Sequence, residues 1–181
     1  MNLSFIGPRG VGKSKISRKL SKITGIPLVS TDMLAIYETG GISIPEFISQ
    51  NNGNWKVFRD LEFTILNRLQ SAKNLIIDCG GGIVFDLDDS GKEILSERKV
   101  SLLKKIGKVI RLDADISFLV RKVEGDSNRP TLSHTESYEN ILRRRTIDYN
   151  KVADISISVD MKNPEEIVRK IIMFFPDLQR K

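Results

Sequence analysis

A chain of 181 residues with 40% hydrophobic content can bury one sizeable core and is short for two, so a single domain is expected. No apolar run approaches the roughly twenty residues of a membrane helix, no signal-peptide pattern opens the chain, and the one cysteine, Cys79, excludes an internal disulfide and a cysteine-based zinc site. The expected location is the cytosol, and a net charge of +6 implies attraction for anions, leaving nucleic acid, acidic membrane and small phosphorylated or carboxylated molecules open on charge alone.

The first predicted element is a strand over residues 3–6, followed at once by G7-P-R-G-V-G-K-S14 and by the helical pattern K13-S-K-I-S-R-K-L-S-K-I23. Further strands are predicted at 26–29, 75–79, 109–112 and 155–159. Helices are predicted to begin at Lys13, near Ser43, near Lys56, near Lys92, near Ile116, near Ser137 and at Pro164. The last carries proline and two acids in its first turn, and its apolar spacing suits the cover of one sheet face. Strands alternating with helices imply an α/β fold, a three-layer αβα sandwich around a five-stranded parallel sheet. The polar stretch at about 124–136 interrupts two helical patterns and has the length of a lid.

The stretch after the first strand fits G-x-x-x-x-G-K-[ST] in the context its mechanism requires, between a strand and a helix. Gly7, Gly10 and Gly12 let backbone N–H groups turn inward on phosphate oxygens, and the helix adds the positive end of its dipole. Val11 and Lys15 lie within and just behind this cradle. Lys13 is expected to reach the β- and γ-phosphates and the Ser14 hydroxyl to ligate Mg²⁺. A glycine-rich turn that binds nothing is the bland alternative, and it leaves Lys13 and Ser14 unexplained.

Behind the cradle come S30-T-D32, T39-G-G-I-S-I-P-E-F47, F58-R-D-L-E62, I77-D-C-G-G-G-I-V84, R129-P and R145-T-I-D-Y149. In this order they resemble the shikimate kinases, small P-loop NTPases of the nucleoside monophosphate kinase fold, over residues 1 to about 164. The resemblance implies ATP and Mg²⁺ as cofactors and shikimate, a cyclohexene carboxylate with three hydroxyls, as the acceptor phosphorylated on its 3-hydroxyl. It assigns Arg59 and Arg145 to the carboxylate, which a planar guanidinium fork suits, and Asp32 to the hydroxyls, where it can accept the proton of the attacking oxygen. It lays Gly80, Gly81 and Gly82 against the substrate, makes Arg129 the lid arginine over the transferring phosphoryl group, and brings Arg121 or Lys122, with Pro164, to the adenine. Glu62, one helical turn beyond Arg59, is placed to hold that arginine; an exposed ion pair is the alternative. Trp55 and His134 read as packing or incidental residues, and Cys79 as a buried inert thiol.

The chain departs from the family at Ser30, where an acid usually helps hold the Mg²⁺ water shell, and at Ile36, where a second acid is common. Asp78 ends an apolar strand in the manner of a Walker B acid and is a candidate to supply the missing charge, with an ordinary turn-capping aspartate as the alternative. Segment 85–105 is longer than its counterpart in the family. The expected protein is a monomer without nucleic-acid or membrane partners. A gluconate kinase of the same fold, a nucleotide-binding regulatory module and a nucleic-acid-binding protein are the competing readings.

Overall fold

The structure, a computed structural model, describes residues 1–124, 136–160 and 163–179. In chain order its elements are β1 (Leu3–Ile6), α1 (Lys13–Thr24), β2 (Leu28–Ser30), α2 (Thr31–Glu38), α3 (Ile44–Gln50), α4 (Trp55–Leu69), β3 (Ile76–Asp78), β4 (Phe85–Leu87), β5 (Glu93–Leu95), α5 (Glu97–Ile106), β6 (Lys108–Asp113), α6 (Ile116–Glu124), α7 (Tyr138–Val152), β7 (Ile155–Ser158) and α8 (Pro164–Phe174), with a closing 3₁₀ turn at Pro176–Gln179. The expected lid at 124–136, with Arg129 and His134, lies outside the described residues except at its two ends.

Five strands form one parallel sheet in the order β2-β3-β1-β6-β7. Alternate residues of β1 feed different cores, as the period of two demands. Leu3 and Phe5 pack with Ile16 and Leu20 of α1 and Ile167, Val168 and Ile171 of α8. Ile6 packs with Leu66 of α4, Leu102, Leu103 and Ile106 of α5, and Tyr149 and Val152 of α7. A small third cluster, Ala35, Ile48, Phe58 and Ile65, ties α2, α3 and α4 together beside the sheet. The chain leaves β1 in one direction for β2 and returns on its other side for β6. This reversal of strand order opens a crevice at the carboxyl ends of the strands, where open α/β sheets bind ligands.

All five predicted strands are present, with ends shifted by at most two residues. Two local expectations differ from the structure. Residues 31–38 form a helix that the short S-T-D signal does not announce, nucleated by Ser30, whose hydroxyl accepts a hydrogen bond from the Met33 amide at 3.4 Å. The helix expected near Lys92 begins at Glu97, and an antiparallel hairpin of β4 and β5 precedes it. Its turn is closed by Asp88, whose Oδ1 accepts from the Ser90 and Lys92 amides at 2.9 Å each, so the polar residues serve a turn instead of a helical first turn. No helix among the described residues is long and apolar enough to cross a membrane.

Candidate active site

A cavity of about 550 Å³ lies over the carboxyl ends of β1, β2 and β3. One wall is the sequence-predicted cradle: Gly10, Gly12, Lys13, Ser14 and Lys15 all line it. Gly12 stands at the start of α1 in the left-handed region, φ 101°, and offers no side-chain cap, so the first amides of the helix are available to an anion. Gly7 and Val11 lie beneath this surface, Val11 as part of the core. Lys13 is buried, and its ammonium donates to the carbonyls of Gly7 at 2.9 Å and Pro8 at 3.0 Å. Burial lowers its pKa, against the opposing pull of Asp78 and Asp32, which identifies those two carboxylates as its electrostatic partners.

Asp78 and Ser30 are register partners on the adjacent strands β3 and β2. Asp78 is buried and lines the cavity, and its Oδ1 accepts no hydrogen bond among the described residues. A buried carboxylate oxygen without a donor is costly unless a cation or bound water completes it. The described residues hold no cluster of three or more metal-binding side chains. A Mg²⁺ ion takes one or two carboxylates, substrate phosphates and retained waters. Ser14 and Asp78 fit that pattern.

Asp32 sits in the first turn of α2 and lines the same cavity. Its pKa is raised by burial and by Glu62 and Asp78, with Lys13 and Arg9 pulling the other way. The glycine triplet explains how it fits. A Cβ on Gly80 would overlap the Asp32 carboxylate, and one on Gly82 would overlap the Arg59 guanidinium. These two glycines are therefore absent side chains that make room for a catalytic candidate and a binding candidate. The carbonyl of Gly81, between them, accepts a hydrogen bond from the buried Tyr149 hydroxyl.

The opposite wall carries both predicted arginines. Arg59 of α4 and Arg145 of α7, 86 positions apart in the numbering, are each 4% exposed and both line the cavity. Arg59 Nη1 donates to Glu62 at 2.9 Å, in keeping with their spacing of three, and Glu62 also accepts from the buried Lys99 at 3.0 Å. The Arg59 guanidinium lies 5.4 Å from the Trp55 ring centre and that of Arg145 4.8 Å from Phe85. Trp55, which reads from the sequence as a packing residue, is thus both a platform for Arg59 and part of the cavity wall, where Ile36, Ser43, Ile44, Pro45 and Phe58 accompany it. Sequence reasoning also misses Glu93, whose carboxylate pairs with Arg145. Its only signal is its place in the long segment after the glycine triplet.

At the expected adenine side, Lys122 lines the cavity and Arg121 does not. Pro164 is the first residue of α8, beyond the cavity lining, with Asn163 capping the helix by accepting from the Glu166 amide at 2.9 Å. Cys79 is buried beside the triplet, and burial pushes its thiol well above the ordinary range, in keeping with an inert residue.

Known proteins align with this chain over nearly its whole length. Residues 9–176 match the family described as shikimate kinase. A shikimate kinase of Leptospira borgpetersenii serovar Hardjo-bovis is 55% identical over 171 residues, covering 94% of this chain and 96% of that protein. One from Leptospira biflexa is 53% identical over 172 residues, 95% and 94% of the two chains. Among solved structures, shikimate kinase from Acinetobacter baumannii in complex with shikimate superposes with a TM-score of 0.79 at 27% identity, over 99% of this chain and 95% of that one. On these matches the chain belongs to the shikimate kinase family.

Proposed function

We propose that this protein transfers the γ-phosphoryl group of ATP to the 3-hydroxyl of shikimate, giving shikimate 3-phosphate and ADP. The observation that carries the proposal is the meeting of two buried guanidiniums, Arg59 and Arg145, on one wall of the cavity whose other wall is the phosphate cradle. A cyclic hydroxy acid held by its carboxylate on the arginine wall presents its hydroxyls toward the cradle. The glycine triplet keeps the space between open.

Asp32 is electrostatically coupled to Lys13 on the nucleotide side and to Glu62 on the acceptor side, so it stands where donor and acceptor meet. As the acceptor oxygen bonds to the γ-phosphorus and the bond to ADP breaks, the hydroxyl proton passes to the Asp32 carboxylate. Lys13 exchanges its two carbonyl partners for phosphate oxygens and offsets the negative charge there. Ser14 and Asp78 would hold Mg²⁺, with Asp78 carrying the charge that Ser30 lacks; the ion, when bound, neutralises the β- and γ-oxygens. Arg129, outside the described residues, keeps the lid role that the resemblance implies. Lys122 is preferred to Arg121 as the residue near the nucleotide base. The protein is proposed to act as a monomer on small molecules in the cytosol.

Release of ADP from ATP and Mg²⁺, measured with shikimate, with gluconate and with no acceptor, tests the proposal. Stimulation by shikimate alone is expected. Equal or greater stimulation by gluconate, or none by either, overturns it.

A further inference from the structure

The segment after the glycine triplet folds as a hairpin whose second strand carries Glu93. The Glu93 side chain is 10% exposed and lies among three guanidiniums. Its Oε1 accepts from Arg145 Nε at 2.8 Å and from Arg144 Nη1 at 2.8 Å, and its Oε2 pairs with Arg145 Nη2 and stands 3.9 Å from Arg59 Nη2. One carboxylate therefore grips the Nε–Nη2 edge of Arg145 and draws Arg59 toward it.

Two roles are conceivable for an acid in this position: an internal competitor seated where a substrate carboxylate would go, or a support behind the arginines. The geometry decides. Arg59 and Arg145 line the cavity, and Glu93 is not among its lining residues. Of the Arg145 guanidinium, Glu93 takes the side edge. Nη1 remains on the cavity side, 3.5 Å from the carbonyl of Gly81, which does line the cavity. A guanidinium gripped along one edge still offers its Nη1–Nη2 end to a second carboxylate in the usual fork geometry. Glu62, which itself lines the cavity, pairs with Arg59, and Lys99, wholly buried on the α5 side of the hairpin, holds Glu62 at 3.0 Å and Asp86 of β4 at 3.2 Å.

We propose that Glu93 is a positioning residue for the acceptor carboxylate: by gripping the outer edge of Arg145 and bridging to Arg59, the β4–β5 hairpin aims both guanidiniums into the cavity. This rests on the proposed acceptor being a carboxylate, and it gives the long segment after the triplet a role in acceptor recognition.

The test uses the whole protein and initial rates of ADP release with either substrate varied. Stimulation of the unaltered protein by shikimate tests the underlying function by itself. In E93Q, which keeps the size of the side chain but not its charge, the KM for shikimate is expected to rise about tenfold through misaimed guanidiniums, with kcat and the KM for ATP within about twofold. In an R145K background, where the edge gripped by Glu93 no longer exists, adding E93Q is expected to raise the shikimate KM by clearly less than it does alone, the remainder acting through Arg59. If E93Q does not accumulate as folded protein, E93D carries the same expectation with a smaller rise, since its shortened carboxylate cannot span both arginines. An unchanged shikimate KM overturns the proposal. So does a lowered one, which would mean that Glu93 only damps the positive charge of the site. A parallel rise in both KM values, or a full additional penalty on R145K, would show a general structural role and overturn it too.

Discussion

The two walls of the cavity are built in opposite ways. The nucleotide wall is eight consecutive residues, six between β1 and α1 and the first two of α1, and its working groups are mostly backbone amides and one helix terminus. The acceptor wall draws Asp32, Arg59, the glycine triplet and Arg145 from α2, α4, the end of β3 and α7, and its working groups are side chains held by other side chains. On the proposed function, a ligand common to many enzymes would be met by local chain geometry, and the ligand peculiar to this one by tertiary packing. Substitutions on the two walls are therefore expected to fail differently.

The largest effect is expected on the nucleotide wall, from Lys13→Met. Removing a charge that acts on the transferring group is expected to lower kcat by about 10²–10³. Stability is expected to fall as well, because Asp78, Asp32 and the Gly7 and Pro8 carbonyls lose their buried cation. Comparing kcat with the thermal midpoint of unfolding checks both halves. On the acceptor wall, Arg59→Ala and Arg145→Ala are each expected to weaken shikimate by about 1.5–3 kcal/mol, the range for a hydrogen-bonded charge, while the KM for ATP stays near its original value. A matching loss of ATP affinity would erase the contrast between the walls.

The glycine triplet sharpens the comparison further, because it touches the acceptor wall at two distinguishable points. An added methyl at Gly80 meets the Asp32 carboxylate, and one at Gly82 meets the Arg59 guanidinium. Gly80→Ala is thus expected to reduce kcat, and Gly82→Ala to raise the shikimate KM, each by about tenfold or more for displacement of a working group by an ångström or so. Both obstacles are the ends of side chains, not backbone, so neither substitution is expected to unfold the protein. Steady-state kinetics with each variant separates the two effects. Exchange of the two phenotypes would show that the roles of Asp32 and Arg59 are misassigned.

The same division governs which features are legible in the amino-acid sequence. The cradle is legible residue by residue, because a phosphate loop is a local object and its spacing carries the geometry. The five strands are legible because each is a short apolar run flanked by polar turns. The arginines are legible only through resemblance, since nothing in F58-R-D or R145-T-I says that two guanidiniums will share a cavity. Glu93 is legible only as part of a long segment: its partners are 34, 51 and 52 positions away in the numbering, and the turn chemistry of Asp88 disguises its hairpin as the start of a helix. Trp55 is half legible: it packs against the Ala35, Ile48, Phe58 and Ile65 cluster as its place predicts, but its second contact is not announced. An aromatic residue opening an amphipathic helix looks like core alone until its neighbour Arg59 is seen lying over its ring.

A smaller effect is expected from the metal side of the nucleotide wall. Ser30 and Asp78 face each other across β2 and β3, so a carboxylate on either strand would project from the same edge of the sheet. Asp78→Asn is expected to raise the Mg²⁺ concentration for half-maximal activity about tenfold, as loss of one carboxylate near a hydrated ion allows. Adding S30D is expected to restore most of it. Aspartate caps a helix as well as serine does, so α2 should keep its start. Titration with Mg²⁺, read both as activity and as the gain in thermal stability with ADP present, checks the exchange. Wild-type behaviour in D78N would make Asp78 an ordinary strand-end residue.

The smallest effect concerns stability alone and falls on the residue between the walls. Burial, with Glu62 and Asp78 nearby, raises the Asp32 pKa above the ordinary carboxylate value, which Lys13 only partly offsets. In the interval between those two values the folded protein binds a proton that the unfolded chain has released, so stability falls as pH rises through it. Above the raised value the full cost of an ionised Asp32 is present. Below the ordinary value it is absent. Asp32→Asn removes the charge while keeping the shape, so its thermal midpoint without ligands is expected to exceed that of the original protein at pH 7. The difference is expected to shrink as the pH is lowered through the carboxylate range. Thermal unfolding of the two proteins across that range checks the sign. A lower midpoint for the variant at pH 7 would mean that attraction to Lys13 outweighs burial, and that the two walls stabilise the residue they share.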